Sequence, residues 1–139
     1  MGEFDQGLNY LNQSLAIEKE INNIGGVATT LNHIGIINSL RGDYLTAMDI
    51  YFEALEIHEG LGDKSGLAYT LQNIGVIYDL QKDYEKALEY YNRSLKLRQE
   101  IKERRGVAQI INNIGIVYHK LGDFEKALDQ YLIALSIKE

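Results

Sequence analysis

Three residue pairs recur at a step of forty: Asn32-His33, Gln72-Asn73 and Asn112-Asn113. An Asn or Gln side chain offers both a donor and an acceptor, which is what an extended peptide backbone needs. Repeated with the chain, such pairs form a ladder of hydrogen-bonding positions. The same step brings Ile36, Val76 and Ile116 alongside, with Tyr69, Gln109, Asp79 and His119 as further neighbours that would confer selectivity. Each net hydrogen bond contributes roughly 0.5–1.5 kcal/mol. Half a dozen, less the cost of ordering, suggests an affinity of about micromolar order. A structural alternative stands beside this one: an Asn near a helix centre can equally bond a neighbouring loop and hold adjacent repeats together. His33 interrupts the ladder and reads as a hydrogen-bonding residue rather than a metal ligand.

Residues for catalysis are not gathered. His33, His58 and His119 belong to different repeats, and there is no His-Glu-x-x-His pattern to collect a metal. The serines include no Gly-x-Ser-x-Gly turn. Gly25-Gly26 lacks the later glycine and lysine of a phosphate loop and reads as a hinge between helices. No enzyme activity, metal or cofactor is expected.

Composition narrows the classes further. There are no cysteines, so disulfides and thiolate metal sites are excluded. The net charge of −6 argues against a nucleic-acid partner, whose phosphates call for Lys and Arg. No apolar run approaches the roughly 18 residues of a membrane span, and residues 1–20 lack a signal-peptide layout. The cytoplasm is the default compartment unless a leader precedes this sequence. Acidic residues cluster over 43–63 and basic ones over 93–105. These are read as solvated helix faces that pair locally, or as a patch that orients a partner.

The elements that must position the ladder follow from the period. Gly35, Gly75 and Gly115 repeat in step, as do Gly42-Asp43-Tyr44, Lys82-Asp83-Tyr84 and Gly122-Asp123-Phe124. A fixed period in this range marks a solenoid whose units bury their apolar faces against neighbours. Each unit reads as two amphipathic helices. The first spans about 26–41, 66–81 and 106–121, and the second opens at Asp43, Asp83 or Asp123, each a good N-cap. Asp63 and Ser65 are candidate caps for the middle first helix. Gly42 and Gly122 suit a left-handed helix exit, and Lys82 in that place predicts mild strain. Gly35 should face Ala47 and Ala54, with tyrosines filling the space beside them. Asn38, where the copies have Tyr78 and Tyr118, implies a packing weakness or a polar group that needs a partner.

The string Asn112-Asn113-Ile114-Gly115, Tyr118, Gly122-Asp123-Phe124, Ala127, Tyr131, Ala134 resembles the tetratricopeptide repeat. The resemblance recurs three times and covers essentially the whole chain. The usual unit is about 34 residues. This longer one lacks the closing proline and is similar to repeats of kinesin light chains, spindle-orientation adaptors and bacterial signalling proteins. The resemblance implies an all-α, right-handed superhelical solenoid of antiparallel helix pairs, about three and a half repeats long. Its concave groove, lined by the first helices, would bind a peptide or helix of a partner protein. On that reading the ligand contacts are Asn32, His33, Ile36, Tyr69, Gln72, Asn73, Val76, Gln109, Asn112, Asn113, Ile116 and His119. The family's carboxylate clamp relies on basic groove residues, and the matching Asn32, Gln72 and Asn112 are neutral. An acidic ligand would have to use Lys120, Arg41 or Arg104-Arg105 instead.

The expected organisation is a single repeat domain over 1–139. It comprises a lone second helix over 3–25, repeats at 26–65 and 66–105, and a last repeat at 106–139 ending in an uncapped helix. Apolar stripes at the two ends, Phe4, Leu8, Leu11 and Leu15, then Tyr131, Leu132, Leu135 and Ile137, suggest a piece of a longer repeat array, self-association between copies, or both. The rival functions are therefore a self-assembly module whose terminal helices drive oligomerisation, or a sensory module of a larger signalling protein.

Overall fold

The computed structural model describes residues 2–138, the last by its backbone only. Every element among them is helical. The helices are α1 (Glu3–Glu20), α2 (Ile24–Leu40), α3 (Tyr44–Leu61), α4 (Lys64–Leu80), α5 (Tyr84–Glu100), α6 (Arg104–Lys120) and α7 (Phe124–Lys138). First-type helices α2, α4 and α6 begin two residues before the expected positions. Second-type helices α3, α5 and α7 begin one residue after their aspartates. The end at Glu139 lies outside the described residues. Two compact units emerge, Met1–Gly66 and Leu67–Glu139.

The helix ends explain why the elements repeat so closely. Asp43, Asp83 and Asp123 each accept the backbone N–H three residues on, at 3.3, 3.3 and 3.2 Å. Asp63 does the same for Gly66 at 3.0 Å, while Ser65 lies inside α4. Exits are equally uniform. Gly42, Gly62 and Gly122 have positive φ, and so do Asn22, Lys82 and Lys102. At each exit through residues 42, 82 and 122 the next N–H reaches back to a carbonyl five residues earlier, at 2.9 Å. A side chain bearing a Cβ is strained in that left-handed region. Lys82→Gly is therefore expected to stabilise the chain by about 0.5–1 kcal/mol, after allowing for glycine's greater unfolded-state entropy. A urea midpoint that rises at unchanged slope would show it.

Unit one packs Val27 and Leu31 of α2 with Ala54 of α3, and Leu15, Ile50 and Ile57 close around them. In unit two, Val107, Ile110, Ile111, Ile114 and Val117 of α6 pack with Ala87, Tyr91 and Ala134. The partner of each central glycine is an aromatic ring. A Cβ on Gly35 would fall 2.7 Å from Tyr51 Cδ1; on Gly75 it would fall 2.7 Å from the Tyr91 ring; on Gly115, 2.8 Å from Tyr131. Gly35 thus makes room for Tyr51, one of the tyrosines expected beside it. The Gly25-Gly26 pair is not a hinge: both residues belong to the first turn of α2. Asn38 resolves its own burial, its amide donating to the Ile34 carbonyl at 3.0 Å.

Candidate functional site

Each first-type helix keeps one face open, and it is the same face every time. The positions are Thr29, His33, Ile36 and Leu40 on α2, then Tyr69, Asn73, Val76 and Leu80 on α4. On α6 they are Gln109, Asn113, Ile116 and Lys120. All are exposed or half-buried, at the i, i+4, i+7, i+11 spacing of one helical stripe. Tyr69 and Ile116 remain 38% and 36% exposed in spite of their apolar bulk. His119 lies beside the stripe and meets the Phe124 ring edge to face at 5.1 Å.

The amide pairs do not act as pairs. Consecutive residues on a helix point about 100° apart, so His33, Asn73 and Asn113 take the open stripe and their predecessors turn inward. Asn32 is 2% exposed, bonded to the Ala28 carbonyl and 3.4 Å from His58 Nε2. Gln72 is 8% exposed, and its Oε1 accepts from Arg98 at 2.7 Å. Asn112 occupies the same register on α6 and is half-buried. Asn32 and Gln72, expected as ligand contacts, are buried and bridge α2 to α3 and α4 to α5.

The inward amides belong to a set of polar joints whose other members, Glu18, His58 and Arg98, the sequence reading did not single out as such. Glu18, His58 and Arg98 are forty residues apart, each late in a second-type helix. Each lies against the glycine that opens the next first-type helix, Gly26, Gly66 or Gly106. Glu18 accepts from the Thr30 hydroxyl. His58, 3% exposed, places Nδ1 3.2 Å from Asp63 Oδ2. Arg98 reaches Ser94 Oγ at 3.3 Å and Gln72 at 2.7 Å, and pairs with Glu103 at 3.5 Å. Burial lowers the pKa of the Arg98 guanidinium from its ordinary value, against the opposing pull of Glu103 and Tyr69. Burial also pushes the Tyr91 phenol well above its ordinary value, with Asp79 adding to the effect. The signal for these joints was in the sequence, as a polar residue recurring opposite a recurring glycine.

Three of the bases considered for an acidic ligand, Lys120, Arg41 and Arg104, are engaged. Lys120 donates to Asp79 at 2.9 Å, linking α6 to α4. Arg41 pairs with Asp5 at 3.6 Å, and Arg104 donates to the Ile137 carbonyl at 2.9 Å. Much of the basic cluster is spent within the unit too, with Arg98 buried and Arg93 stacked 5.2 Å over Tyr90. No group of three His, Cys, Asp or Glu among the described residues could hold a metal ion. Among them no helix is long and apolar enough to cross a membrane.

A family model described as "Tetratricopeptide repeat" matches residues 26–100 and 67–139. The chain belongs to the tetratricopeptide repeat family. A search of curated protein sequences returns no match. Among solved structures, a Rap protein complexed with Competence and Sporulation Factor is similar at a TM-score of 0.90 and 20% identity, over 97% of this chain and 38% of that one. BtubC (BKLC) from P. vanneervenii gives 0.83 and 23%, over 99% of this chain and 57% of that one. The TPR domain of Arabidopsis FLU gives 0.71 and 24%, over 78% and 92%. These likenesses establish the helical repeat fold. The chain spans little more than half of BtubC and under two fifths of the Rap protein. Tetratricopeptide repeats are commonly protein-interaction modules.

Proposed function

We propose that this tetratricopeptide chain is a protein-interaction module that binds a peptide or helix of a partner along the open stripes of its first-type helices, with no chemistry of its own. The observation that carries the reading is the shared register of those stripes. Within unit two they leave Tyr69, Asn73 and Val76 on α4 and Gln109, Asn113 and Ile116 on α6 exposed or half-buried, mixing amides with accessible apolar side chains. Such a mixture offers backbone hydrogen bonds and shallow apolar contact together, as ligand sites generally do. A similar fold was crystallised with Competence and Sporulation Factor bound, which supports a ligand-binding role for this one.

The test begins with peptides selected from a display library against the whole chain. The double variant Asn73→Ala/Asn113→Ala is expected to weaken the selected peptides about tenfold, given two lost hydrogen bonds of roughly 0.5–1.5 kcal/mol each. Asn92→Ala, an exposed asparagine on α5, serves as control and should bind normally. Unchanged affinity in the double variant, with the helical signal intact, would remove the stripes as the site.

A further inference from the structure

The unit-two stripes are neutral except at one end. Tyr69, Asn73, Val76 and Leu80 on α4 carry no charge, nor do Gln109, Asn113 and Ile116 on α6, and Lys120 closes the α6 stripe. Its ammonium reaches across to Asp79 on α4, the neighbour of Leu80, at 2.9 Å. The repeat does not call for this bridge. Forty residues before Asp79 the chain has Ser39, and forty before Lys120 it has Leu80, so neither charge belongs to the recurring packing pattern.

The two partners are held very differently. The Asp79 side chain is 14% exposed and the Lys120 side chain 41%. Asp79 also lies near enough to the buried Tyr91 phenol to oppose its ionisation. Lysine carries a strongly hydrated ammonium on a flexible stem, so it can swing into water at little cost. A carboxylate mostly enclosed by protein has no such exit. Losing its cation leaves it short of both water and a partner. The bridge can therefore exchange its cation far more readily than its anion.

We infer that Asp79 is a specificity-determining residue for the ligand of the unit-two stripes, selecting a peptide with a lysine or arginine at this end, and that Lys120 is the internal competitor which that side chain displaces. The inference rests on the stripes being the ligand site. It inverts the use expected of Lys120 for an acidic ligand, because an acid drawn to Lys120 would strip Asp79 of its partner.

The experiment selects displayed random peptides in parallel against the intact chain, Asp79→Asn and Lys120→Ala. A lysine or arginine should recur at one position in peptides from the parent and from Lys120→Ala, and in none from Asp79→Asn. In a resynthesised peptide, changing that base to glutamine should weaken binding to the parent about fivefold, the upper range of a partly exposed ion pair. Removing the competitor in Lys120→Ala should tighten the basic peptide about threefold and leave the glutamine peptide unchanged, a gain that a merely structural bridge would not give. Lys120 is well exposed, so this variant should keep the parent's melting point, and its result stands even if Asp79→Asn is less stable. Peptides that lose binding in Asn73→Ala/Asn113→Ala yet share no basic residue overturn the inference while leaving the stripes as the site. A recurrent acidic residue, or weaker binding of the basic peptide to Lys120→Ala, does the same. Selected peptides that bind Asn73→Ala/Asn113→Ala undiminished remove the stripes as the site, and this inference with them.

Discussion

Truncating Tyr91 to alanine should cost about 3–5 kcal/mol, more than the loss expected at the polar joints. The ring is 1% exposed and lies against Gly75 on one side and the α6 cluster on the other. Small domains have only about 5–15 kcal/mol to lose, so the variant should be partly unfolded at room temperature in modest urea. Tyr91→Phe keeps the ring and should retain most of the stability, which separates packing from the hydroxyl. Gly75→Ala probes the same contact from the other helix. Its added Cβ would sit 2.7 Å from the ring, and a rigid buried aromatic cannot step aside cheaply. The alanine gains about 0.8–1 kcal/mol of helix propensity and loses about 1–3 kcal/mol to overpacking. The net expectation is a modest loss in wild type that turns into a gain once Tyr91 is alanine. Non-additive unfolding energies in the four proteins of that cycle would confirm direct coupling. Strict additivity would show that Gly75 is there for some reason other than the ring.

The same pair shows how far the sequence could be read. Glycine at 35, 75 and 115 announced close helix approach, and the period gave the helix starts within two residues, although α1, expected over 3–25, ends at Glu20. Both follow from local chemistry: caps, helical spacing and left-handed exits. What the glycine faces depends on the rotation of one helix about its axis relative to another. At Gly35 and Gly75 the nearest atoms belong to the rings of Tyr51 and Tyr91, with the Ala87 carbonyl also 3.4 Å from the Gly75 position. The amide pairs divide for a related reason. Asn32 and His33 are neighbours in sequence but about 100° apart around α2, so one joins the hairpin and the other the open stripe. Sequence spacing showed that a polar ladder exists. It took the packing of α2 on α3 and of α4 on α5 to show that its rungs alternate between structure and surface.

Arg98→Ala is the counterpart in polar chemistry, with an expected loss of about 2–3 kcal/mol. Hydrogen bonds to a charged group are worth roughly 1.5–3 kcal/mol, and removing one partner leaves the other unsatisfied. Gln72 Oε1 would lose its 2.7 Å donor in a site only 8% exposed, and Glu103 its guanidinium at 3.5 Å. Arg98→Lys should recover only part of this, because one ammonium cannot reach Ser94, Gln72 and Glu103 at once as the planar guanidinium does. Added salt should change the wild-type value little, since the guanidinium is shielded from solvent. The decisive comparison comes from the chain's other unit, where His58, Asn32 and Asp63 occupy the same three registers as Arg98, Gln72 and Glu103. Arg98→His alone should be destabilising. Combined with Gln72→Asn and Glu103→Asp, it imports the unit-one set whole and should restore at least half of the lost stability in urea unfolding. If the triple variant is no better than Arg98→His alone, the two joints are not equivalent, and their shared forty-residue spacing does not reflect a shared way of closing the hairpin.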